Sequence, residues 1–125
     1  MICLSCRFED AIAYAEKAVN IDPKSVEVAK LLTNARRVAR ARTRGNDLYN
    51  SERFTEACAA YEEGLKLDPS SSVLYCNRAA CWFKLGMWEK TIEDCNTALH
   101  IHSNYTKALL RRAAANSKVL SIIIL

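Results

Sequence analysis

A 34-residue self-similarity constrains this chain more than any other feature. Phe54-Thr-Glu-Ala-Cys-Ala-Ala-Tyr61 and Trp88-Glu-Lys-Thr-Ile-Glu-Asp-Cys95 stand 34 residues apart, and at the same offset Gly64-Leu-Lys-Leu-Asp-Pro69 aligns with Ala98-Leu-His-Ile-His-Ser103. Asn77 aligns with Arg111 and Ala79 with Ala113. A fixed period of this length, with small residues and aromatics at constant offsets and an Asp-Pro closing a helix, belongs to an all-α solenoid of helix–turn–helix units. One such unit cannot bury its apolar face alone, so each must stack on the next.

From the N-terminus, Phe8, Ile12, Ala15, Ala18 and Val19 recur largely at helical spacing, and Ile21-Asp22-Pro23 closes that segment. Ala18-Val-Asn-Ile-Asp-Pro23 echoes Gly64-Leu-Lys-Leu-Asp-Pro69, so residues 1–23 read as the second helix of an upstream repeat. The echo lies 46 residues away, twelve more than the period, and the excess falls in a stretch without Gly or Pro. The pattern therefore predicts a long helix over roughly 25–49, with 24–41 as its connecting part and Leu31, Leu32, Ala35, Val38 and Ala39 as an apolar stripe. A break near Thr33-Asn34 is the alternative.

Two full repeats follow, 38–71 and 72–105. The first turns at Asn50–Arg53 into a helix over Phe54–Leu67. Asp68-Pro69-Ser-Ser-Ser72 is the next turn, with serines placed to cap the helix that follows. Helices over Val73–Leu85 and Trp88–Ile101 then pair around Gly86. His102–Tyr105 leads into a last helix over about Thr106–Lys118, the first helix of another repeat. The tail 119–125, Val-Leu-Ser-Ile-Ile-Ile-Leu, is apolar and β-branched where a solenoid wants a polar cap, and is an aggregation hazard if exposed. The expectation is a piece of a longer array, cut at both ends.

Composition agrees with helices. There are only three Gly and two Pro, and Ala, Leu, Lys, Glu and Arg favour the helical state. The net charge of +4 argues against a general polyanion binder but leaves room for a local basic groove. Of six cysteines, Cys58, Cys76, Cys81 and Cys95 fall inside helical patterns, where a free thiol packs as a small apolar group. No leader of basic residues followed by an apolar run and a cleavage site starts at Met1, and a reducing, cytoplasmic setting is expected. No apolar run has the length to span a bilayer.

The repeats resemble the tetratricopeptide repeat, which places a small residue, an aromatic, two alanines and a proline at set positions. Gly45, Leu48, Ala57, Tyr61 and Pro69 match it in one repeat, and Tyr75, Ala79, Trp82 and Ala98 in the next. Gly64, Thr91 and Ser103 depart from it, standing where alanine, alanine and proline are usual. A closer resemblance covers nearly all of 7–118. Arg7-Phe-Glu-Asp-Ala-Ile, Val38-Ala-Arg-Ala-Arg-Thr-Arg-Gly-Asn46, Leu74-Tyr-Cys-Asn-Arg-Ala-Ala-Cys81 and Asn104-Tyr-Thr-Lys-Ala-Leu-Leu-Arg-Arg-Ala-Ala114 look like the plant tetratricopeptide-repeat thioredoxin-like proteins. The resemblance implies a right-handed α-solenoid. The thioredoxin-like domain of that family has no counterpart in this chain.

A solenoid of helix pairs exposes its first helices on a concave face. Numbered so that Gly45 and Ala79 each fall at position eight, Arg42 and Asn46 take positions five and nine, Asn77 position six, and Lys107 and Arg111 positions two and six of their first helices. These positions share one helical face. Two amides, two guanidiniums and an ammonium can together hold a ligand with several negative oxygens. The set resembles the carboxylate clamp of co-chaperone tetratricopeptide domains, which grips the C-terminal Glu-Glu-Val-Asp of Hsp70 and Hsp90. The resemblance implies that Arg42, Asn46 and Asn77 hold the chain terminus, that Lys107 holds the Asp side chain, and that Arg111 reaches the peptide backbone or second carboxylate. Arg42 departs from the lysine usual there, replacing a point donor with a planar fork.

Other chemistry has weaker support. The run Arg36, Arg37, Arg40, Arg42, Arg44 has no interleaved aromatic and reads first as a solvated helix face, with nucleic-acid binding as the lesser alternative. Cys3-Leu-Ser-Cys6 lacks the strand context of a redox pair and a second pair for zinc. His100 and His102 point to different faces of a helix end, a poor chelate. No catalytic constellation, metal site or cofactor is expected. Function narrows to protein–protein recognition, either of a chaperone C-terminus or, as a generic adaptor, of another client.

Overall fold

A computed structural model describes the backbone of residues 6–124 and the side chains of residues 8–124. The Cys3–Cys6 pair therefore lies outside the described side chains. Six helices make up the described residues: α1 Cys6–Ile21, α2 Val26–Asn50, α3 Phe54–Leu67, α4 Ser72–Lys84, α5 Trp88–Ile101 and α6 Thr106–Ile124. The fold is an all-α solenoid of antiparallel pairs.

Several starts and stops have a local cause. Ser25 caps α2 by accepting from the Val28 N–H at 3.3 Å, and Ser71 caps α4 by accepting from the Leu74 N–H at 3.3 Å. No Gly or Pro interrupts α2 before Gly45, and the helix runs unbroken through Thr33-Asn34, where the Thr33 hydroxyl bonds back to the Ala29 carbonyl at 3.0 Å. At the Asp-Pro turn the Asp68 carboxylate accepts from the Ser70 N–H and hydroxyl at 3.2 and 2.8 Å. The Tyr75 hydroxyl then ties α4 to the Pro69 carbonyl at 3.0 Å.

The α2–α3 and α4–α5 turns repeat one geometry. Arg53 N–H bonds to Leu48 O and Met87 N–H to Trp82 O, both at 2.9 Å, while Glu52 N–H reaches Tyr49 O and Gly86 N–H reaches Phe83 O. This paired return of N–H groups over the helix end needs a left-handed residue at its centre. Gly86 supplies it at φ 73°; at the equivalent place Glu52 is forced to φ 61°.

The core runs along the seams between helices. Tyr61, Leu74, Cys76, Cys81 and Cys95 are fully buried, with Ala57, Leu65, Ala98 and Ala108 around them. Cys58, Cys76, Cys81 and Cys95 are all buried free thiols. Two glycines permit close approach. A Cβ on Gly45 would lie 2.3 Å from the Tyr61 ring, and one on Gly64 would meet Leu74 at 2.9 Å and Ala41 at 3.1 Å.

Two layers result. The backbones of the first helices approach along the array, α2 to α4 and α4 to α6, whereas those of α1, α3 and α5 stay more than 8 Å from one another among the described residues. The α2–α4–α6 side is thus the closed, concave side.

The C-terminal end differs from expectation. Instead of ending near Lys118, α6 continues to Ile124, because nothing in the stretch breaks a helix and β-branching lowers propensity only slightly. Val119, Ile122 and Ile123 line a hollow of about 490 Å³ with Gly86, Met87 and Trp88 of the α4–α5 turn. No described helix is long and apolar enough to cross a membrane.

Candidate functional site

The concave layer carries the five polar residues singled out from the sequence. Asn46 and Asn77 meet directly, across α2 and α4. The Asn77 Nδ2 donates to Asn46 Oδ1 at 3.4 Å, and the same oxygen accepts from the Tyr61 hydroxyl at 2.5 Å. Tyr61 is buried beneath, on α3, packed against Gly45. With its oxygen engaged twice, Asn46 has only its two N–H donors left to offer a ligand. Burial raises the Tyr61 pKa well above its usual value, so the phenol keeps the proton that fixes this amide.

Arg42 sits one turn before Asn46 on the same face of α2. Its guanidinium lies 4.6 Å above the Phe8 ring of α1, a cation–π contact that ties the groove to the preceding helix. Its Nε–H is buried and has no hydrogen-bond partner among the described residues.

Arg111 and Lys107 come from α6. Arg111 Nη1 donates to the Cys76 carbonyl at 2.8 Å and to its sulfur at 3.0 Å, which places the guanidinium next to Asn77 along α4. Lys107 lies one turn earlier and is exposed. Burial pushes the Cys76 thiol up, opposed by the nearby Arg111 and Lys107 charges. Cys76 therefore stays neutral at ordinary pH and acts as a weak acceptor.

Arg42, Lys107 and Arg111 form no ion pair among the described residues. Arg78, on another face of α4, contrasts with them. It makes a two-pronged bond to the buried Asp94 carboxylate at 2.7 and 2.8 Å, and the Trp82 indole donates to the same carboxylate at 3.0 Å. That cluster braces α4 on α5, and the bond to Asp94 raises the Arg78 pKa. Amide donors beside uncompensated cations suit carboxylate or phosphate oxygens.

Sequence spacing placed the five residues on one face but missed their supports. Phe8 and Tyr61 read as core residues, and only their partners, Arg42 thirty-four residues after Phe8 and Asn46 fifteen residues before Tyr61, show that they aim groove side chains. For Tyr61 the available signal was its match to an aromatic position of the repeat pattern. Nothing in the residue pattern announced Phe8. Among the described residues no cluster of three or more His, Cys, Asp or Glu could hold a metal ion.

Family models for the tetratricopeptide repeat match residues 7–25, 32–71 and 72–105. Over 106 residues, 84% of this chain, the sequence is 62% identical to the TPR repeat-containing thioredoxin TTL4 of Arabidopsis thaliana. Over 105 residues, also 84%, it is 60% identical to the inactive TPR repeat-containing thioredoxin TTL3 of the same plant. The chain spans only 16% and 15% of those relatives' lengths. Among solved structures, the first TPR of Spaghetti (RPAP3) bound to HSP90 peptide SRMEEVD superposes with a TM-score of 0.66 at 32% identity, covering 67% of each chain. The chain belongs to the tetratricopeptide-repeat family, in a segment shared with the plant TPR repeat-containing thioredoxins.

Proposed function

We propose that this protein-interaction module grips the C-terminal peptide of an Hsp70- or Hsp90-type chaperone through a carboxylate clamp of Arg42, Asn46, Asn77, Lys107 and Arg111. A chain ending in Asp carries two carboxylates on one residue. Arg42, Asn46 and Asn77 take the main-chain carboxylate, Lys107 takes the Asp side chain, and Arg111 takes the peptide backbone or second carboxylate. The observation that carries the reading is the meeting of the Asn46 and Asn77 amides at 3.4 Å, with the Asn46 oxygen also held by the Tyr61 hydroxyl. A similar solved domain holds an HSP90 peptide ending in EEVD. The role is that of a co-chaperone or scaffold in the cytosol.

Affinity for so short a peptide is micromolar, about −8 kcal/mol. Calorimetric titration with a peptide ending in Glu-Glu-Val-Asp tests the assignment. Lys107→Ala or Asn77→Ala weakens binding by about 1.5–3 kcal/mol, the range for charge-assisted hydrogen bonds. Unchanged affinity in both variants leaves a generic adaptor for another client.

A further inference from the structure

The arginines of α2 divide between two sides of the helix. At 3.6 residues per turn, Arg40 is rotated about 200° from Arg42, and Arg44 by the same angle from Asn46. Arg36, Arg40 and Arg44 therefore form a stripe, about 12 Å from end to end, on the back of α2 away from the concave groove. Because the backbones of α1 and α3 stay more than 8 Å apart, that back is left open between them. The opening is a trough of about 630 Å³, with Ile12, Ala39 and Leu48 as its apolar part and Arg36, Arg40, Arg44 and Arg53 as its basic part. A neighbouring hollow adds Arg37 and Lys66 beside Arg40 and Arg44.

The stripe is already used at both ends. Glu16 of α1 pairs with Arg36 at 3.2 Å, and Glu63 of α3 pairs with Arg44 at 3.8 Å. Arg37 and Arg40, between them, form no ion pair among the described residues. Carboxylates on helices alongside α2 thus reach this stripe, and its middle lacks them.

We propose that the trough docks an acidic amphipathic helix of a partner protein. A helix with glutamates every fourth residue repeats its charges about every 6 Å, the spacing of Arg36, Arg40 and Arg44. An apolar residue beside the glutamates covers Ile12, Ala39 and Leu48. Arginine forks bind planar carboxylates at two points, which favours such a ligand. Nucleic acid fits less well. Neither hollow is lined by an aromatic ring for base stacking, and Asp47 and Glu63 interrupt the basic surface that a continuous phosphate chain needs.

The test uses a helical probe of about 20 residues, long enough to hold its helix, with glutamates at every fourth position and leucines beside them. Fluorescence anisotropy compares it with a scrambled peptide of equal composition and with a random single-stranded RNA. The unaltered chain binds the probe about tenfold more tightly than the scrambled peptide. Arg37→Gln/Arg40→Gln, which breaks no internal pair, weakens probe binding by a similar factor, whereas Lys107→Ala leaves it unchanged. Equal binding of probe and scrambled peptide, full binding by the double variant, loss of binding in Lys107→Ala, or tighter binding of the RNA overturns the proposal.

Discussion

The Tyr61 hydroxyl donates to Asn46 Oδ1 at 2.5 Å across the α2–α3 interface, so a core side chain sets the orientation of a groove amide. Tyr61→Phe keeps the ring against Gly45 and removes only this bond. The variant folds, loses about 1 kcal/mol of stability, and binds the acidic C-terminal peptide several-fold more weakly because Asn46 is free to turn. Urea unfolding and calorimetry read the two effects separately. An unchanged peptide affinity removes Tyr61 from the site.

The same interface makes Gly45 indispensable. Alanine in a helix interior ordinarily stabilises by about 1 kcal/mol relative to glycine. Here its Cβ would lie 2.3–2.7 Å from three atoms of the Tyr61 ring. Overpacking against a ring that cannot fold away costs about 1–3 kcal/mol and outweighs that gain. Gly45→Ala therefore lowers the urea midpoint; a raised midpoint contradicts the packing described.

Glu52 offers the reverse experiment. It holds φ 61° where the next repeat has Gly86 at φ 73°. A side chain in the left-handed region costs about 1–2 kcal/mol, while glycine adds about 0.5–1 kcal/mol of unfolded-state entropy. Glu52→Gly stabilises by the difference, about 0.5–1 kcal/mol, and raises the thermal midpoint.

Buried thiols make stability fall in alkali. Burial pushes Cys95 from the ordinary 9.0 up to about 11 and raises Cys76 as well. Cys81 is raised by its hydrogen bond to Cys58 and by burial, while the same bond lowers Cys58. Above pH 9 the unfolded chain sheds protons that folded Cys95 keeps, so unfolding becomes easier with each unit until the folded thiol titrates. For Cys95 the loss is about 2 kcal/mol across pH 9 to 11. Urea midpoints at pH 8 and pH 10.5 measure it, and Cys95→Ala flattens the decline.

Much of this architecture is legible in residue order because a repeat restates its own contacts. The 34-residue offset locates the hairpins, and the shared face of Arg42, Asn46, Asn77, Lys107 and Arg111 follows from helical geometry. What the pattern hides depends on which distant side chains meet. Gly64 reads as a weak point in the repeat, yet Leu74 and Ala41 fill the space a methyl would need. Arg78 and Asp94 look like ordinary helix charges until α4 and α5 pack and close them with Trp82. The last helix reads as ending near Lys118, but α6 runs on to Ile124, with Val119, Ile122 and Ile123 beside Trp88 and Met87. Local periodicity cannot report contacts between residues so far apart.

A groove that recognises a chain terminus must sense the terminal charge itself. Calorimetry comparing a peptide ending in Glu-Glu-Val-Asp with its C-terminal amide isolates that charge, since everything else about the ligand is constant. The clamp of Arg42, Asn46, Asn77, Lys107 and Arg111 predicts micromolar binding of the acid, about −8 kcal/mol, and at least tenfold weaker binding of the amide. Equal affinity for the two peptides contradicts it.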